Sequence, residues 1–263
     1  MEKKILTFCF LILTFFLFGQ DFGKIDSLHN NGKYGEALSQ LQSAFDKSNP
    51  DPAYVWRIAR GLYEEVKSIK SKKDKLAKLD EGIKFMEPYY NLKSGTARDR
   101  ATVIFWYAVF SSETARTKGI KESLDNIPNL FKYCNEATAI DGTYGDPYYL
   151  KAMINDGLPS LFNGDKFQMS LDLTKAISID PENYTYLIDG AEAYINRNWD
   201  AKKKQKEAEK KGKSDDGSPK DLSDKEFAKK LIEKALDIFK NDTNQTVKEK
   251  EKIEQGKKIL AKL

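Results

Sequence analysis

Cysteine and histidine are almost absent from this chain: it holds Cys9, Cys134 and the single histidine His29. Cys9 lies within the leading apolar run, so the remainder keeps only Cys134 and no intramolecular disulfide is expected. Cys134 stands in FKYCNEATAI at helical spacing, which reads as a small buried apolar side chain and not a nucleophile. One histidine and no cysteine pair exclude a zinc site of the usual kind. His29 itself, beside Asn30-Asn31 at a turn, reads as solvated or capping. No Gly-rich phosphate loop, H-E-x-x-H or C-x-x-C occurs, and acidic pairs such as Asp80-Glu81 fall on polar helix faces. We therefore expect no catalytic residue, no cofactor and no metal. An excess of charge is missing too: 44 basic against 40 acidic side chains leave +4, which gives nucleic-acid binding little support.

Apolar and aromatic residues are plentiful. At 40% hydrophobic and 12% aromatic, the 263 residues have material for a continuous core, and disordered chains are poor in such rings. The chain opens with Met1-Glu2-Lys3-Lys4 and an apolar run from Ile5 to Phe18. About fourteen residues fall short of the roughly 20 that a membrane span needs, and suit a signal peptide. Residues 1–19 are read as that signal, with Gly19 at the cleavage position, and the product as exported to the periplasm. An uncleaved anchor in the inner membrane is the alternative. No cysteine ends the run, so lipidation is not expected.

Residues 20–263 read as an all-α, irregular tetratricopeptide-like helical repeat array. Its clearest unit is GDKFQMSLDLTKAISIDP, Gly164 to Pro181, an apolar-periodic helix closed by Ala176, Ile177 and Ile179 and stopped by proline. Gly32-Lys33-Tyr34-Gly35-Glu36-Ala37 supplies the turn of a first unit, and Trp56, Ala59 and Tyr63 share a face in a second. Ala101 to Phe110 reads as a buried central helix, with a buried strand as the alternative. Asp125-Asn126-Ile127-Pro128 reads as the start of its partner helix. Tyr184 to Tyr194 gives a further first helix, whose partner is delayed to about Asp224. The Lys/Glu-rich stretch between them, Asp200 to Leu222, is expected to be a flexible insertion with little to bury. Val247, Ile253, Leu260 and Leu263 mark the inner face of a final capping helix. More than about 65% helix and no sheet are expected, since the apolar segments carry the 3.6-residue period.

With the units placed, residues 21–263 resemble tetratricopeptide-repeat proteins. Within them Leu158-Pro159 and Asn163-Gly164-Asp165 are similar to the turn and corner of the T component of tripartite ATP-independent periplasmic (TRAP) transporters. WRIAR and FWYA also look like the related regulator-of-microtubule-dynamics repeats, which share the all-helical build. The T-component resemblance implies a non-enzymatic adaptor that docks on a solute-binding subunit; a general envelope scaffold for protein–protein contacts is the alternative. Homo-oligomers stay open.

The first helix of each unit in such arrays lines the concave face. That places Arg57, Tyr107, Ile154 and Ile188 toward the hollow, with Tyr54, Ile104 and Lys151 one turn away and Tyr148 and Tyr149 at its opening. An aromatic-lined hollow suits a small hydrophobic ligand or an extended partner segment. The other reading is that irregular units close the hollow and make these residues core.

Overall fold

Helix ends in this chain are written in short polar side chains. The computed structural model describes residues 21–263, so the leader and Cys9 lie outside the described residues. Asp21 accepts from the Lys24 N–H and starts α1 (Phe22–Asn30). Gly32 takes φ 79°, a left-handed conformation that glycine adopts without a Cβ penalty, and turns the chain into α2 (Tyr34–Ala44). Asp51 caps α3 (Pro52–Ser68), whose proline sits where a missing N–H costs nothing. Ser71 and Thr96 cap α4 (Lys72–Met86) and α5 (Ala97–Lys118). Then come α6 (Ile120–Ile140), α7 (Gly145–Gly157), α8 (Lys166–Ile179), α9 (Tyr184–Arg197) and α10 (Ala201–Lys210). Capping boxes, Ser223 with Glu226 and Thr246 with Glu249, open α11 (Asp224–Asn241) and α12 (Val247–Leu260). Among the described residues 76% are helical and none is in a strand, so Ala101 to Phe110 belongs to a helix.

The helices pack as consecutive pairs: α1 with α2, α3 with α4, α5 with α6, α7 with α8, and α9 with α11. Three apolar clusters run along the stack. Ile25, Leu41, Ile58, Leu79, Met86 and Phe110 centre the first. Ala101, Ile104, Ala137 and Tyr144 form a smaller middle one. Met169, Leu173, Leu187, Ile188, Tyr194 and Ile232 centre the last. Each fully buried Leu or Ile contributes about 1.5–3 kcal/mol, which places most of the stability in the two end clusters. Cys134 is fully buried, and burial pushes its thiol up to about 12.

Several expectations are corrected. α6 starts at Ile120, directly after Gly119 ends α5, and Pro128 lies inside it. Asn126 is no cap; its side chain bonds Ser111 on α5. His29 is buried, not solvated, with its ring edge-on to Tyr34. Val247 and Leu263 stand 46% and 44% exposed, leaving Ile253 as the fully buried apolar residue of α12.

Asp200 to Leu222 packs. It contributes α10, and Lys204, Ala208, Asp216 and Ser218 are all buried. What it buries is polar, which apolar patterning does not reveal. Arg197 at the end of α9 donates through Nε and Nη2 to both oxygens of Asp224 at 2.7 Å, and through Nη1 to Asp216 at 2.6 Å. Lys204 adds an ion pair to Asp224 at 3.1 Å and donates to the Leu222 carbonyl. Four charges therefore tie α9, α10, the following loop and α11 together.

Candidate functional site

The nine residues expected to line a concave hollow do not share one. Tyr54 packs edge-on against Phe22 in the first cluster. Arg57 lies over Phe22 and Trp56 and pairs with Asp26 of α1. Ile104 belongs to the middle core. Tyr107 stands beside Tyr90 and Tyr133. Lys151 pairs with Asp172 at 3.2 Å and lies over the Tyr148 ring. Tyr149 stacks on Tyr186 and donates to Asp189 at 2.7 Å. Ile154 is half-buried. Ile188 is fully buried, and α12 covers it: a Cβ on Gly256 would come within 2.5 Å of its Cδ1. The last helix thus fills part of the surface that a longer array would leave open.

The main cavity lies elsewhere. A cleft of about 1270 Å³ separates the first helices from the last. One wall comes from α1 to α3, with Asn30, Tyr34, Glu64 and Lys67. The other comes from α9, α11, α12 and the turns that precede α9 and α12, with Glu182, Tyr184, Asp237, Asp242, Lys248, Glu251 and Lys252 among its residues. A smaller neighbouring cavity of about 560 Å³ runs on between α1 and the α11–α12 turn, sharing Asn30, Asp242 and Thr246. Seven carboxylates line the main cleft against three lysines. Two of the three lysines hold α12: Lys248 pairs with Glu64 at 2.5 Å, and Lys252 with Asp189, outside the lining, at 2.7 Å. Glu182, Asp237 and Glu251 are exposed and have no ion-pair partner among the described residues.

At the floor of the cleft, Lys248 bridges Glu64 on α3 and the face of Tyr34 on α2. Glu64 also receives Lys67 at 3.1 Å, and His29 Nε2 lies 3.8 Å from it with no hydrogen-bond partner. Burial raises the Glu64 carboxyl, but hydrogen bonds from Lys248 and Lys67 hold it below its ordinary value. For His29 burial comes first, and the charges of Arg60 and Lys248 add to it, lowering it to about 4 against the opposing pull of Glu64 and Asn30. The imidazole is therefore kept neutral where an unfolded chain would protonate it. Above pH 6.5 this costs nothing. As pH falls from 6.5 to about 4, the unfolded chain takes up a proton that the fold refuses, and stability is lost. The full loss is roughly 3 kcal/mol, since each pH unit of that window removes about 1.4 kcal/mol. Urea titrations across that window should show the decline, and His29→Leu should flatten it. An unchanged slope in the variant would refute this role, because the Glu64 contribution is lost at lower pH, below about 4.5.

Neither wall of this cleft was legible as a site. Glu64 and Lys248 carry no motif, and only the path of the array brings them together across 184 positions.

Stacked helix pairs, with a polar cleft where the first and last elements meet, define a helical-repeat protein. Within that class, the family model for regulator of microtubule dynamics protein 1-3 matches residues 21–153, half of the chain. The chain belongs to that family. No curated protein matches it. The matched segment runs from α1 to within α7, so the first wall of the cleft lies inside it and the second wall outside.

Proposed function

We propose that this protein is a non-enzymatic interaction scaffold that seats an extended, lysine- or arginine-bearing segment of a partner protein in the cleft between its first and last helices. The observation that carries this is the local reversal of charge: a chain of net charge +4 surrounds this cleft with an acidic excess. Glu182, Asp237 and Glu251 remain available to an incoming cation, and the cleft is wide and polar as an extended peptide requires. Binding should be salt-sensitive, since exposed charges are screened within about 10 Å at 0.1 M salt.

A fluorescent oligolysine peptide tests this. It should bind the protein and be released by salt, and the triple variant Glu182→Lys, Asp237→Lys, Glu251→Lys should weaken it at least tenfold while melting stays the same. Equal binding by the variant, or equal binding of an oligoglutamate peptide, would overturn the reading.

A finer form of the proposal takes the partner to be the solute-binding subunit of a TRAP-type transporter and the setting to be the periplasm, as the leader and the T-component resemblance imply. The corner that carried this resemblance also has a local account. Gly164 lets the Leu158 carbonyl approach, and Asp165 caps α8. Co-purification of a solute-binding protein from the envelope fraction supports this form, and a purely cytosolic pool refutes it.

A further inference from the structure

Away from the cleft, three tyrosines from three elements face one small cavity. Tyr90 follows the short 3-10 turn after α4, Tyr107 lies on α5 and Tyr133 on α6. With Glu87, Asn91 and Lys132 they line about 260 Å³. The rings stand close to mutual right angles: 78° for Tyr90 and Tyr107, 77° for Tyr107 and Tyr133, 69° for Tyr90 and Tyr133. Their centroids are 5.1, 5.3 and 6.0 Å apart. Three centroids at such separations have a point about 4 Å from each of them, within the range of cation–π attraction.

From this geometry we infer that the corner is a binding site for a quaternary ammonium group. The carboxylates fit a cationic guest. Glu87 stands exposed at the rim, and Glu136 accepts the Tyr90 hydroxyl at 2.5 Å, which fixes that ring. The one cationic side chain in the lining, Lys132, is directed to Glu136, with its amine 3.9 Å from a carboxylate oxygen. A methylated ammonium suits the corner better than a bare one. It sheds little hydration on entry, and its methyl groups fill the space between the ring faces. A primary amine would have to abandon its hydrogen bonds to water, and the rings offer none in return.

The site is independent of the acidic cleft, so either can fail alone. Calorimetry with tetramethylammonium, choline and free trimethyllysine is the test. Saturable binding of tetramethylammonium is expected, and whichever of choline and trimethyllysine binds tighter names the natural source. The neutral isostere of choline, 3,3-dimethylbutanol, should bind at least tenfold more weakly. Tyr107→Leu should weaken tetramethylammonium at least tenfold, and Glu87→Lys, a change at an exposed rim that spares the fold, should do so more than threefold. Equal binding of the neutral isostere would make the corner a plain apolar dent. Absence of saturable binding, or a Glu87→Lys protein that binds as before, would also overturn the assignment.

Discussion

Arg197→Ala should destabilise the protein by about 3–5 kcal/mol, the loss expected when one partner of a buried ion network is removed. The guanidinium is fully buried, engages both oxygens of Asp224, and reaches Asp216 through its third nitrogen. It also lies over the rings of Tyr194 and Trp199, at 4.9 and 4.4 Å from their centroids. Truncation leaves two carboxylates inside the protein with Lys204 as the remaining cation beside Asp224. Asp216 then has no counter-charge among the described residues, and Asp224 keeps only Lys204. Water must enter to solvate the uncompensated charge, which loosens the loop from α9 and α11. The midpoint of urea unfolding reads the first effect. Limited proteolysis reads the second: residues 211–218 should resist cleavage in the parent and become the first site cut in the variant. Arg197→Lys should recover only part of the loss, because an ammonium cannot reproduce the two-pronged contact. A shift of under about 1 kcal/mol, with the loop still protected, would show that this network is incidental.

Gly164→Ala should cost about 3 kcal/mol, at the upper end of what overpacking usually does. A Cβ built on Gly164 would lie 1.9 Å from the Leu158 carbonyl oxygen and 2.7 Å from its carbon. Those are backbone atoms. They cannot swing aside as a side-chain tip would, so the whole corner between α7 and α8 must shift. That corner also positions Asp165, whose carboxylate caps α8 and whose N–H donates to Asn155. Gly157, nearby in sequence, has nothing within 4 Å of its Cβ position, so Gly157→Ala should cost far less and serves as the internal control. Equal melting temperatures for the two variants would remove the close approach as the reason for this glycine.

The two substitutions mark where sequence reading succeeds and where it stops. Gly164 stands in the clearest helical unit of the chain, and its helix ends at Ile179 as the apolar period and Pro181 require. The helices with side-chain caps, α3, α8 and α9, were legible because short-range rules fix their ends. Pro128 misled because a proline that commonly starts a helix here sits within one, its neighbour Asn126 being spent on Ser111. The stretch from Asp200 to Leu222 misled because its buried groups satisfy one another, and no hydrophobic pattern announces a buried arginine. The expected concave residues failed as a set for another reason. Their spacing along each helix is right, but which way a helix faces depends on every turn before it, and α12 covers Ile188 from far along the chain. The cleft that results belongs to no single unit.

The contact between Lys248 and Glu64 has a consequence for how the protein is made. Repeat arrays usually assemble neighbour by neighbour, each unit needing only the one before it, and can fray from either end. Here residues 184 positions apart are joined, and such a contact demands the closure of a very long loop before it gives anything back. The first pairs can pack while Glu64 still lacks its second lysine, and the contact waits until α12 is in place. The order of assembly is thus built into the chain: a linear stack first, and a closed molecule only when α12 arrives.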